Sequence, residues 1–357
     1  MHKLLISIVL LSFIACSCLR DTAVEPLKFT AYEHNPILTH GPPGSWDEIY
    51  LACPFIINHN HILYLFYQGL DQKGKKAIGL AISTDGYHFD KFEGNPVLEP
   101  DGQGFDAFGV GQPVVLHADA TWVLYFNAME RVGYGAGPYI GRATAQSISG
   151  PWIKSDRPVL TAGTLGEWDS EFLKIGSILL LEDHSYIMFY SGGTDWYSQK
   201  DLLLGIATSP DGIIWHKYND TATTQHPFAE SDPVLLPGDP GEWDSEGVLA
   251  GCVKARTGGF ELYYSGFRGM GIEQIISIGY ALSPDGIHWE KYSGNPIFIG
   301  KDDPYQARKG GFISFENPTL FYSDTLCYMY FDYGIQYSGI GLATAASPVG
   351  GLSRGAE

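Results

Sequence analysis

The sequence is poor in cysteine and in positive charge, and it lacks helical periodicity. Five cysteines occur in 357 residues. Past the N-terminal region they are Cys53, Cys252 and Cys327, with Cys18 close to the start. An odd, scattered set excludes a disulfide framework and offers no zinc-ligand spacing. Cys53 and Cys252 lie in apolar strand contexts, where packing is the expected role. Lys and Arg total 22 against 40 Asp and Glu, a formal charge of −18. Nucleic-acid phosphates need a basic surface, so a nucleic-acid partner is not expected. No stretch repeats apolar residues at helical spacing between caps. A Ser or Cys triad, a phosphate-cradling Gly loop and metal-ligand spacing are also missing, so neither a cofactor nor a metal is expected.

One apolar run exists, from Leu4 to Ala15 behind Lys3. It is too short to span a bilayer as a finished helix and reads as a secretory signal. It ends at Phe13-Ile-Ala-Cys16, which resembles a bacterial lipoprotein cleavage box with Phe in place of the usual Leu. The expected organisation is a signal peptide over 1–16 and a single domain over 27–347. That implies an exported, periplasmic or outer-membrane-anchored lipoprotein, monomeric, touching the membrane only through its lipid.

What is abundant is repetition. Phe89-Asp-Lys-Phe-Glu-Gly-Asn-Pro-Val-Leu98 returns as Trp289-Glu-Lys-Tyr-Ser-Gly-Asn-Pro-Ile-Phe298. Weaker copies are Trp152–Leu160 and Trp215–Tyr218 with Asp232–Leu235, and another copy, Phe29–Leu38, precedes everything else. An aromatic-Asp pair recurs at Trp46-Asp47, Phe105-Asp106, Trp168-Asp169 and Trp243-Asp244. Eight residues after each aromatic comes Pro54, Pro113, Gly176 or Gly251; a last unit keeps only Pro318. Aromatic and β-branched runs follow, such as Tyr186–Tyr190, then a Gly-anchored strand such as Ile78–Ser83 with an Asp-Gly turn. Four strands per unit, five times over, predict an all-β fold, a five-bladed β-propeller. The last unit stops after Ala345 without its fourth strand, and Phe29–Leu38 is predicted to supply it, closing the ring.

The pattern Ser283-Pro-Asp-Gly-Ile-His-Trp-Glu-Lys-Tyr-Ser-Gly-Asn-Pro296 resembles the five-bladed propeller glycosidases. These are glycoside hydrolase families 43, 32, 68 and 117, with the mannoside phosphorylases of family 130 nearby. The resemblance runs from about Phe29 to Ala345. It implies a funnel at one end of a central channel, carboxylates at the starts of the innermost strands, and a carbohydrate substrate. A base or nucleophile would lie on the first blade, an orienting Asp on the second and an acid Glu on the third. Glycoside cleavage needs such a pair to protonate the leaving oxygen and to face the oxocarbenium-like centre.

The residues that this points to are Asp47 as base or nucleophile, Glu171 or Glu246 as acid, and Asp106 or Glu316 assisting. The repeated Asp residues also suit turn capping. A Glu entering an apolar strand, as Glu171 and Glu246 do, is costly without a task or a partner. Arg131 and Arg268 are candidates to fork onto an acidic sugar, Trp196 to stack on a sugar face, and Asp332 to bind substrate. The family 43 pattern places its catalytic Asp directly before the equivalent Pro, but here those positions hold Cys53, Gln112 and Asn317. Hydrolysis is therefore expected from relocated carboxylates, with a non-catalytic glycan-binding propeller or a glycoside phosphorylase as alternatives.

Overall fold

The computed structural model describes residues 25–131, 137–195, 201–269, 274–299, 315–334 and 339–347. Residues 1–24, where a signal peptide and a lipidation box are expected, lie outside the described residues. The described chain is all-β, with one short 3₁₀ turn at Gly104–Asp106 and no α-helix among the described residues.

The strands form antiparallel meanders taken in sequence order, each starting from a long inner strand. The inner strands are Tyr50–His59, Gly109–Ala118, Phe172–Leu180, Gly247–Arg256 and Phe315–Tyr322. Each packs against the inner strand of the next meander, and the last returns to the first. The strands pair into four sheets, not five separate ones, because Lys76 of the first meander pairs in parallel with Gly109 of the second. A Cβ at Gly109 would press on Lys76 and Met129, so only glycine admits this approach.

The N-terminal segment behaves as the repeat predicts. Thr30–Ala31 and Leu38–Thr39 both pair with Gly339–Ala346, the third strand of the last meander. The fourth strands are interrupted, however. Asp90–Lys91 pairs with Ala81 and Ile82, and Leu98 forms only an isolated bridge to Ile78. Between the two pairings the Asn side chain of Gly-Asn-Pro replaces the backbone ladder. Asn95 accepts from the Leu80 N–H and donates to its carbonyl, both at 2.8 Å. Asn295 does the same to Tyr280, and Asn35 to Leu342. The recurring Asn is thus a ladder substitute, satisfying backbone groups that would otherwise be orphaned.

The Gly-anchored third strand has an equally local cause. Trp46 stacks on Tyr67 at 5.6 Å and lies flat over Gly79, where any Cβ would collide with both rings. Trp168, Tyr190 and Gly205 repeat the arrangement. Tyr67 and Tyr190 are fully buried and are among the largest such side chains.

Candidate active site

The aromatic-Asp residues are ion-paired within their own meanders. Lys91 donates to Asp47 at 2.5 Å, Lys154 to Asp106 at 2.5 Å, Lys217 to Asp169 at 2.6 Å and Lys291 to Asp244 at 2.7 Å. Every one of these Asp residues is buried. Each lysine is the third residue of the repeated outer segment. The last meander lacks the aromatic-Asp pair, and its lysine position is Ala31. Acid and base disappear together, which marks the pair as a brace between the inner-strand turn and the outer strand. For Asp47 and Asp106 this geometry supplies an architectural role.

Glu171 is exposed and Glu246 half-buried, and both join their strands by backbone bonds, Glu171 N–H to Gly193 and Glu246 N–H to Phe267. Arg131 is exposed and 3.9 Å from Glu130, and Arg268 is exposed at a strand end. Trp196 lies outside the described residues.

The structure brings together a different group. Every inner strand carries a bulge near its start, at 52–55, 111–114, 175–177, 249–252 and 316–319. The bulges fall at the recurring Pro or Gly and, except in the third meander, also at the residue before it. Cys53, Gln112 and Asn317 adopt left-handed backbones there, with φ of 55°, 50° and 54°. A second-strand side chain of the preceding meander caps the exposed bulge N–H. Asn127 accepts from Ile175 at 2.9 Å, Ser191 from Ala250 at 2.7 Å, Ser265 from Asn317 at 3.2 Å and Asp332 from Cys53 at 2.6 Å. Gln68 occupies the matching place beside Gly111, whose missing side chain makes the room, and donates to the Tyr50 hydroxyl at 3.0 Å.

The residue just before each bulge is Ala52, Gly111, Lys174, Leu249 or Glu316. Two of these are charged, and they meet: Lys174 Nζ lies 3.4 Å from Glu316 Oε2, both buried. Glu316 is the cross-strand partner of Asp332, whose other carboxylate oxygen accepts from Asn317 Nδ2 at 2.5 Å. Burial, followed by the Glu316 charge, pushes the Asp332 carboxyl up to about 8. Burial and then Asp332 hold the Cys53 thiol above its ordinary range, so it remains a thiol. Lys76 belongs to the same group; burial and the nearby Lys174 bring it down to about 8.

Of the residues picked out from the sequence, Glu316 and Asp332 therefore stand together, while Glu171, Glu246, Arg131 and Arg268 lie at the rim. Sequence reasoning missed Lys174 and Lys76. Lys174 had a signal: a lysine inside the apolar run Phe172-Leu-Lys-Ile, in the register position that Glu316 fills in the last meander. A separate rim cleft of about 320 Å³ beside the first meander is lined by Ser45, Trp46, Glu48, Asp71, Lys73 and Glu99, and holds none of the central group. Among the described residues no cluster of His, Cys, Asp and Glu suits a metal ion.

No family model matches the chain. Two curated relatives from Mycobacterium tuberculosis, the uncharacterised proteins MT1551 and Rv1502, are each 25% identical over 240 residues, covering 65% of this chain and 72% of theirs. Among solved structures, one described as belonging to the family 130 mannoside phosphorylases, which include hydrolases targeting β-1,2-mannosidic linkages in Candida mannan, has a TM-score of 0.69 at 21% identity. It aligns over 93% of this chain and 99% of its own. A glycosyl hydrolase from Bacteroides ovatus gives 0.66 at 18% identity, over 92% and 97%. A β-1,2-mannobiose phosphorylase from Listeria innocua, in complex with β-1,2-mannobiose, gives 0.63 at 18% identity, over 90% and 97%. At these identities the likeness establishes a shared fold.

Proposed function

We propose that this chain is a glycan-active enzyme on a five-bladed β-propeller, a glycoside hydrolase using Glu316 and Asp332. The carrying observation is the buried cross-strand pair of carboxyls, Glu316 at the start of the last inner strand beside Lys174 and Asp332 on the neighbouring second strand. The two carboxyls are in unlike environments. Glu316 lies beside the Lys174 amine at 3.4 Å. Asp332 keeps its proton near neutrality, which suits a general acid. Glycoside cleavage requires a pair of carboxyl groups, one of them able to donate a proton. The fold neighbours described as acting on mannosides or as glycosyl hydrolases support a sugar as the substrate class.

The test is turnover on a panel of aryl glycosides and β-linked oligosaccharides. Glu316→Gln and Asp332→Asn should each lower kcat by about 10²-fold or more, the usual scale of acid–base catalysis. Full activity in both variants overturns the assignment.

One observation favours phosphorolysis as a second reading. Two lysines, Lys76 and Lys174, share this buried group, and a buried cationic pair suits a phosphate co-substrate. Running every assay with and without inorganic phosphate separates the two. We also propose export and lipidation at Cys16; a Cys16→Ser variant that still partitions into membranes would refute the anchor.

A further inference from the structure

We propose that Gln112 is a ligand-recognition residue of the channel, its side-chain amide holding adjacent hydroxyls of a bound sugar. The inference rests on the reading that the channel takes a glycan, but it requires no turnover.

Gln112 is 7% exposed, and its Oε1 is buried without any hydrogen-bond partner. Buried amide oxygens are almost always bonded, and an exception in a packed strand calls for a reason. Its backbone is left-handed at φ 50°, as at the equivalent bulges of Cys53 and Asn317, a region that a Gln enters at a cost. Unpaired polar groups and strained backbone coincide at sites that a ligand completes.

The equivalent residues show which way this side chain faces. Cys53 and Asn317, bulged in the same manner, touch through Sγ and Nδ2 at 3.6 Å across neighbouring meanders. Cys53 also feels Asp332, Lys174, Glu316 and Lys76, which come from three different meanders. Side chains at this register thus converge on the centre. Cys53 and Asn317 are used by the Asp332 network, which caps the Cys53 N–H and holds the Asn317 amide. Gln112 has no such commitment for its oxygen. The neighbouring Gln68 fills the room that Gly111 leaves and is engaged with Tyr50, so it does not partner the Gln112 oxygen.

A primary amide offers an acceptor and donors on one planar group. A sugar hydroxyl is both donor and acceptor, so two adjacent hydroxyls match both ends of the amide. A site built to bond a hydroxyl rejects an analogue lacking it, because the protein group is then left unpaired again.

The experiment is differential scanning fluorimetry of wild type, Gln112→Leu and Gln112→Asn. The probes are mannose, glucose, galactose, xylose, arabinose and β-1,2-mannobiose, with Kd for the strongest stabiliser measured by calorimetry. Gln112→Leu removes an amide whose oxygen bonds nothing in the protein, so the unliganded Tm should hold or rise while Kd weakens at least tenfold. Gln112→Asn suits the left-handed backbone but withdraws the amide by one methylene, so it should fold as well as wild type and bind several-fold more weakly. Unchanged affinity in either variant overturns the proposal. So does a fall in the unliganded Tm of Gln112→Leu, which would give the amide a structural role, or a wild type that no sugar stabilises. Loss of catalysis in Glu316→Gln with sugar binding intact would test the hydrolase assignment and leave Gln112 standing.

Discussion

The carboxylate of Asp332 accepts the Cys53 N–H at 2.6 Å, tying together residues 279 positions apart. It occupies the place that Asn127, Ser191 and Ser265 take at other junctions, where neutral groups cap the bulge. Only at the junction between the last meander and the first is the cap ionisable. Its carboxyl is raised to about 8, against an unfolded value near 3.9. The folded state therefore holds a proton that the unfolded state releases. The stabilisation is fully present below about pH 4 and is lost as pH rises through about 8. Asp332→Asn mimics the protonated form and has nothing to release. Thermal melts from pH 4 to 9 should show the wild type losing stability relative to this variant across that interval. Parallel profiles would refute the assignment.

The aromatic-Asp braces yield an opposite expectation, stability without chemistry. Asp169 is wholly buried between Lys217 and the Tyr190 hydroxyl. Asp169→Ala strands a largely buried ammonium, at a cost of about 3 kcal/mol or more. The double variant Asp169→Ala, Lys217→Met removes both charges and should regain at least half of that loss. Chemical denaturation of the single and double variants closes the cycle. A double variant no more stable than Asp169→Ala would show that the pair does not act as a brace.

Most of the fold was legible because its causes are local and repeated. Phe29–Leu38 could be matched to the missing outer strand since its Asn35 and Phe29 stand at the same spacing as Asn95 and Phe89. The Gly inside each third strand recurs because an aromatic ring lies on it. The centre was harder to read for a physical reason. A β-bulge has no composition of its own, and the capping residue comes from another meander, 48 to 59 positions earlier at three junctions and 279 positions later at Cys53. Asp47 looked like a catalytic candidate because the turn motif is conspicuous, yet conspicuous repetition came from a pairing with Lys91, forty-four positions away. The informative sites were those at which one register position differs between meanders. Lys174 and Glu316 stand where the others have Ala52, Gly111 and Leu249.

Glu171 and Glu246 separate the rim from the centre. Neither side chain belongs to the buried group around Lys174. Glu171→Gln and Glu246→Gln should leave kcat within about threefold of wild type, with any change falling on KM, since rim groups meet the ligand without holding the reacting proton. A drop of about 10²-fold in kcat for either would move the acid from Asp332 to that residue.

Asn127 ties the sequence of the second meander to the charge in the third. Its Oδ1 accepts the Ile175 N–H at 2.9 Å, and its Nδ2 donates to the Leu173 carbonyl at 2.5 Å, so the amide grips the backbone on both sides of Lys174. Asn127 is 1% exposed, and water has no access to replace it. Truncation to Ala leaves a buried N–H and C=O unpaired, which costs about 1–3 kcal/mol. It also frees the strand that aims Lys174 at Glu316. Asn127→Ser, which models the cap that Ser191 provides in the next meander, keeps one acceptor for the Ile175 N–H and should restore part of the stability. Urea denaturation of both variants measures the stability, and the pH dependence of turnover reads Asp332, whose raised carboxyl pKa the Lys174 charge opposes. Asn127→Ala should shift the profile of kcat while Asn127→Ser stays closer to wild type. An unshifted profile with lowered stability would reduce Asn127 to a cap.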